Sequence, residues 1–224
     1  MPRSPFMAFD PQRFNPDGGV SRETLGAFQA YEATLVKWQK AVNLVGAGTL
    51  GDVWHRHFRD SAQLAPLIPT RPDGTPTVIL DIGSGGGFPG LVLAVLAATG
   101  ALREPALAVH LVEANARKCA FLKEVARITG AQAVIHRSRV ENLAPFPVDV
   151  VMARGFARLP KLLALATGFL QQPDCHPLGL FLKGRGVDEE LTDARKRWNM
   201  RVEHIVSVTD PEGVVLRIKD IVLG

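Results

Sequence analysis

Residues 78–96 read VILDIGSGGGFPGLVLAVL. A short apolar run closes on Asp81-Ile82, glycines follow at 83, 85, 86 and 87, and a second apolar run starts beyond Phe88-Pro89-Gly90. A buried strand that turns through glycines into a helix is the opening unit of a parallel α/β sheet. The carboxyl end of such a strand is where open sheets bind ligands. Glycines serve that position because they accept positive φ and let a ligand approach the backbone closely.

Outward from this turn, short apolar runs alternate with helical patterns. The runs 78–82, 109–113, 133–136, 149–153 and 179–183 read as strands, and 89–98, 115–129, 157–170 and 187–198 read as helices. The strands are uninterrupted and not alternating, as expected when helices cover both faces. The tail changes character: 202–208 and 214–222 flank TDPEG (209–213), a hairpin signal. The expected fold is α/β, a seven-stranded, doubly wound, mostly parallel sheet of Rossmann-like type ending in an antiparallel hairpin. Right-handed crossovers put the carboxyl ends of its first five strands on one edge.

Upstream, Leu25, Phe28, Tyr31, Leu35, Trp38 and Val42 recur at helical spacing over 21–42, with Ser21 as N-cap. A second helix is expected over 50–65, capped by Thr49. Four prolines in 66–77 mark a linker, dividing an N-terminal arm and helical extension (1–75) from the main domain (76–224). The first nineteen residues read as a loose arm without a secretory h-region.

Composition narrows the classes. No apolar run has the length of about eighteen residues that a membrane span requires. The two cysteines, Cys119 and Cys175, form no CxxC or Cys/His cluster, so no thiolate metal site is expected, and the reading is a reduced, cytoplasmic protein. Net charge is a mild +4, but six of the seven charged residues from Arg117 to Arg139 are basic. Such a stripe fits either a solvated face or a nucleic acid backbone.

Three ligands compete for the glycine turn. A P-loop needs GxxxxGK[ST], and no lysine follows before Lys118. A dinucleotide turn needs GxGxxG, but Phe88 holds its last position, and the acid that ends the second strand, Glu113, lies thirty residues after Gly83. The third reading is S-adenosylmethionine, which offers no phosphate but an ammonium, a carboxylate, a sulfonium and a ribose diol. Asp81 before Gly83, Gly85 and Gly87 suits the cationic end, Glu113 can accept from ribose hydroxyls, and Ser138–Glu141 is placed to border the adenine. Asp81 and Glu113 each have an alternative as helix-capping groups.

The run DIGSGGGFPGLVLA resembles the bacterial ribosomal RNA small subunit methyltransferase G family, also called glucose-inhibited division protein B. Asn43-Leu44, WHRHFRDS (54–61), LVEANARKCAFLKEV (111–125), RSRVE (137–141), ARGFA (153–157) and LKG (182–184) fit the same family in order. The resemblance implies methyl transfer from S-adenosylmethionine to N7 of one guanine, guanine-527, in 16S ribosomal RNA. It implies cofactor contacts at Gly83, Phe88, Val140, Glu141 and Arg154, and a monomer acting on the RNA or the 30S subunit.

Guanine N7 carries a free lone pair, so no general base is needed, and positioning should dominate. Arg154, ending the fourth strand, is the expected orienting residue and the one catalytic candidate. Lys183, Arg185 and Arg139 are candidates for RNA phosphate. Phe88 is expected to pack beside the methionine moiety, and His57 and Asp60 to dock the N-terminal helices on the cofactor edge. A methyltransferase for another RNA, a protein or a small molecule, and a non-catalytic RNA-binding module, remain as rivals.

Overall fold

The computed structural model describes residues 20–102, 104–172 and 176–224. The expected N-terminal arm and Cys175 lie outside these residues. Seven strands form one sheet: β1 (Thr77–Ile82), β2 (Leu107–Val112), β3 (Ala133–His136), β4 (Val150–Arg154), β5 (Leu178–Lys183), β6 (Trp198–Val206) and β7 (Val214–Leu223). Their order is β3-β2-β1-β4-β5-β7-β6. The first five run parallel, and β7 is antiparallel to both β5 and β6. Because β7 reverses direction, its first residue, Val214, pairs with Lys183 at the end of β5. The β6–β7 turn therefore joins the carboxyl ends of β1–β5 on the same edge.

Alternation along each strand builds two cores. Val150 and Met152 of β4 face one, and Val151 and Ala153 the other. The first core takes α1 (Arg22–Gln39), α3 (Gly90–Ala98) and α4 (Ala116–Thr129), and the second takes α5 (Leu159–Leu170) and α6 (Val187–Arg195). Every residue of α3 from Gly90 to Leu96 is buried. A helix that is apolar all round must be covered on every side, and the sheet covers only one. Helix α1 supplies the remaining layer: Phe28, Tyr31 and Leu35 are fully buried in the same core as Leu91 and Val95. Ser21 caps α1 as expected, accepting from the Thr24 amide at 3.0 Å.

The expected helix over 50–65 is not one helix. Residues Ala47–Asp52 form a 3₁₀ turn, Trp54–Arg59 a π-helical turn, Asp60–Ala62 a single α turn (α2), and Ala65–Leu67 a second 3₁₀ turn. Glycines at 46, 48 and 51 weaken regular helix here. The wider π turn keeps Val53 and Phe58 buried while bringing both His57 and Asp60 to bear on β4. Thr49 is not a cap: its hydroxyl donates to the Gly46 carbonyl at 2.8 Å. The helix expected over 187–198 stops at Arg195, and Trp198, buried, already begins β6.

One contact ties α1 to the glycine turn. The Tyr31 hydroxyl donates to the Gly86 carbonyl at 2.6 Å inside the core, and its ring stacks parallel to Phe88. Tyr31→Phe leaves that carbonyl buried without a donor, so urea unfolding should register a loss of about 1–2 kcal/mol, with weaker ligand binding at the turn.

Candidate active site

At the carboxyl end of β1 the chain turns through Gly83, Gly85 and Gly87, whose φ angles are +71°, +53° and +90°. These values are costly for any residue with a Cβ. Space excludes side chains as well: a Cβ on Gly83 would strike the Phe156 ring, and one on Gly87 the Tyr31 hydroxyl. Asp81 is completely buried. Its Oδ2 accepts from the Gly90 amide at 3.1 Å, so it caps α3, while Oδ1 has no partner. Burial, opposed by the Gly90 amide and the Ser84 hydroxyl, pushes its carboxyl up to about 7. Gly90 is required for this approach, since a Cβ there would meet Asp81 Cβ at 2.7 Å.

Glu113 directly follows β2 and spans two elements, accepting from Gly85 N at 3.1 Å and Asn115 N at 2.7 Å. It does not cap α4; Asn115 does, through the amides of Arg117 and Lys118. Beyond β3, Val140 is buried, while Glu141 and Arg139 are exposed and sit 3.8 Å apart.

Arg154 ends β4 and reaches into the N-terminal layer. Nη1 donates to Asp60 Oδ2 at 3.0 Å and to the Arg56 carbonyl at 2.9 Å, and Nη2 lies 2.7 Å from His57 Nδ1. Its guanidinium also sits over the Phe88 ring, 4.8 Å from the centroid. Guanidinium only donates, so Nδ1 of His57 must accept and the imidazole proton sits on Nε2, 2.8 Å from Thr49 Oγ1. Burial and the charges of Arg154 and Arg56 push His57 down to about 3, consistent with a neutral ring. Asp60 accepts from Thr209 Oγ1 at 2.6 Å through its other oxygen, so one carboxylate joins β4, the π turn and the β6–β7 turn. The expectation that His57 and Asp60 dock this segment on the sheet edge acquires a specific partner, Arg154.

One expectation needs correction and another gains its surroundings. The Phe88 side chain is buried among Tyr31, His57 and Phe58, with the Arg154 guanidinium over its ring. Lys183 is not available to an RNA phosphate. Its ammonium is nearly enclosed, bonded to the Ala157 carbonyl at 2.7 Å and Glu190 at 2.8 Å. Glu190 also accepts from Leu159 N, so Lys183 joins β5, α5 and α6. Arg185 is exposed and paired with Glu212.

Beside the glycine turn a cavity of about 470 Å³ opens along the ends of β4, β5 and β7, lined among others by Arg154, Phe156, Lys183, Thr209 and Asp210. Tyr31, Gly90 and Phe156 were not singled out from sequence as site residues. Tyr31 falls on the apolar stripe of α1 and reads as ordinary core; Gly90, closing the quoted motif, was the available signal.

The arrangement is a glycine turn after β1, an acid after β2 and a cationic side chain after β4, all on one edge. The family model described as GidB, rRNA small subunit methyltransferase G, matches residues 24–215. The chain belongs to this family. A relative in Rhodospirillum rubrum named ribosomal RNA small subunit methyltransferase G is 52% identical over 212 residues, covering 94% of this chain and 98% of the relative. One of the same name in Rhodospirillum centenum is 50% identical over 219 residues, covering 98% and 94%. Among solved structures, a methyltransferase from Geobacter sulfurreducens superposes with a TM-score of 0.54 at 12% identity, covering 87% of this chain and 88% of that one. Ribosomal protein L11 methylase from Lactobacillus delbrueckii subsp. bulgaricus gives 0.51 at 17%, covering 71% and 78%. The fold is that of the class I S-adenosylmethionine-dependent methyltransferases.

The residues present fit that cofactor. Gly85 is the open point of the turn, where a Cβ would meet nothing nearer than the Gly83 carbonyl oxygen at 3.7 Å, so a ligand can approach its backbone, and Asp81 holds an unpartnered oxygen at the end of the preceding strand. Among the described residues no group of three His, Cys, Asp or Glu is placed to hold a metal ion, and no helix is long and apolar enough to cross a membrane.

His57 and Asp81 act oppositely on stability. His57 is neutral when folded, so its contribution is present above its ordinary 6.5 and is lost as pH falls toward about 3. Asp81 has a folded value of about 7 against an ordinary 3.8, so its contribution is full below about 3.8 and lost as pH rises through about 7. Asp81→Asn removes the second titration. Urea unfolding at pH 5 and pH 8 should show the variant gaining on the parent at the higher pH. Asp60→Asn weakens the charge-assisted bond to Arg154 and should cost about 2 kcal/mol, read by thermal unfolding at pH 7.

Proposed function

We propose that this protein transfers a methyl group from S-adenosylmethionine to N7 of a single guanine, guanine-527, in 16S ribosomal RNA, acting in the cytoplasm as a monomer. The observation that carries the reading is the juxtaposition of the glycine turn with the cavity, the two sharing Phe156 as a wall. Membership of the family directs it to ribosomal RNA.

Gly83, Gly85 and Gly87 would cradle the amino-acid portion of the cofactor, with Asp81 near its ammonium. Glu113 retains lone pairs for ribose hydroxyls beyond the two amides it accepts from. Val140 and Glu141, following β3, would border the adenine. Bound there, the cofactor supplies an electrophilic methyl on a sulfonium centre.

The chain's own task is to place N7 in line with that methyl. No base is required, and the local side chains agree. Both ring nitrogens of His57 are engaged, and Lys183 is ion-paired. Of the five N–H donors of Arg154, three are used within the protein, which leaves Nε–H and one Nη2 hydrogen to orient substrate or cofactor. Arginine commonly grips guanine through O6 and N7 together. Here N7 must stay free, so Arg154 would take O6 or a phosphate.

Labelled methyl should pass to 30S subunits or 16S RNA lacking the modification, with none to tRNA. Arg154→Ala should lower that rate roughly 100-fold while circular dichroism shows a folded protein; a near-parental rate removes its role. Glu113→Ala should raise the S-adenosylmethionine dissociation constant about 10-fold in calorimetry, and an unchanged constant removes the ribose assignment.

A further inference from the structure

The cavity beside the glycine turn has a composition that the transfer reaction alone does not explain. Of its charged groups, Arg154 pairs with Asp60 and Lys183 with Glu190, while the exposed Arg56 has no ion-pair partner among the described residues. Asp210 is the acid of this lining without an ion pair among them. Its Oδ1 accepts from the Glu212 amide at 3.0 Å, which holds the carboxylate in the β6–β7 turn, and Oδ2 has no partner among the described residues. The turn itself is anchored, with Thr209 bonded to Asp60 and the Val208 amide to Gln63 at 3.0 Å. Phe156 is the second unusual wall. It is 38% exposed, an uncommon state for a phenylalanine, and its ring packs on Gly83.

An aromatic face and a free carboxylate in one cleft select among nucleobases. The face accepts any base by stacking. The carboxylate requires donors, and guanine alone presents two adjacent N–H groups, N1–H and N2–H, on its pairing edge. Adenine and cytosine offer an amino group beside an acceptor, and uracil one N–H between two carbonyls. The volume is within the range of small-ligand sites.

The order of the strands sets the direction of the base. Along the edge lie β1 with Gly83, β4 with Arg154, β5 with Lys183, and β7 preceded by Asp210. Three inter-strand steps separate the ends of this row, roughly 14 Å. The pairing edge of guanine lies across the ring system from N7, so a base with its pairing edge on Asp210 directs N7 back toward the glycine turn.

We propose that this cavity holds the target guanine turned out of its RNA strand, with Phe156 stacked on its face and Asp210 accepting from N1–H and N2–H. The proposal rests on the activity given above and assigns residues for base selection. Enzymes acting on a base commonly extrude it into a pocket that reads this edge.

Reconstituted 30S subunits carrying guanine or inosine at the target position test Asp210, since inosine lacks the 2-amino group. The parent enzyme should lose roughly 10-fold in kcat/KM on inosine. Asp210→Ala, which removes the acceptor of both N–H groups, should lose more than that on guanine, roughly 100-fold, a smaller factor on inosine, and should no longer distinguish the two substrates. Equal losses on both substrates, or no loss on either, overturn the assignment. For Phe156, the Ala and Leu variants should raise the KM for subunits roughly 10-fold with an unchanged calorimetric S-adenosylmethionine dissociation constant, and Phe156→Trp should restore it. Leu preserves the apolar packing on Gly83, so a normal KM in that variant overturns the stacking role, as does a shift confined to cofactor binding. Failure of the parent enzyme to methylate guanine subunits overturns the activity and the proposal together; the variant results bear on the proposal alone.

Discussion

A carboxylate and a guanidinium, 94 residues apart in sequence, meet at 3.0 Å where three segments converge. Both side chains are largely withdrawn from water, at 16% and 18% exposure. There the geometry of the pair matters more than the charges alone, because each group loses hydration that only good partners restore. Asp60 supplies them: one oxygen to Arg154, the other to Thr209 in the β6–β7 turn. Arg154 completes its shell with a backbone carbonyl, the Phe88 face and His57. The neutrality of His57 follows, since a second cation against Arg154 would be repelled in a poorly hydrated place. The end of β4 and two walls of the cavity are thereby held in one network.

The same economy of parts governs the back of the glycine turn. Helix α3 is apolar around its whole circumference, so the sheet cannot satisfy it alone. Helix α1 closes the layer, and it brings Tyr31 to the Gly86 carbonyl and against Phe88. Aromatic pairs of this kind are worth about 1 kcal/mol each beyond their buried area, and Phe28, Tyr31, Phe58 and Phe88 form several. The glycine turn is thus shaped from behind by the N-terminal layer.

Much of this was legible in residue order. The apolar runs marked all seven strands, and the TDPEG turn marked the antiparallel hairpin. Asp81, Gly83, Gly85 and Gly87 stood out because the spacing of an acid and glycines after a buried strand is a local property. The segment 50–65 departs from the regular helix its spacing predicts because apolar residues at helical spacing do not report pitch, and a π turn keeps nearly the same residues inward while turning His57 and Asp60 to one target. Lys183 departs from its expected exposure for a different reason. A lysine at a strand end looks solvent-directed until Glu190, on the following helix, folds back over it.

Residue order alone sets the elements, their succession and the edge to which the carboxyl ends of β1–β5 point, because strand burial, glycine conformations and crossover handedness are decided by short-range sterics and hydrophobicity. Which charges remain available on that edge is settled in three dimensions. Whether a side chain is engaged or free depends on partners that folding brings to it: Asp60 for Arg154, 94 residues away, Thr209 for Asp60, 149 away, Glu190 for the Leu159 amide, 31 away, and none for one oxygen of Asp210 among the described residues. Such pairings follow from three-dimensional proximity in a medium of low polarizability, which residue order does not encode locally.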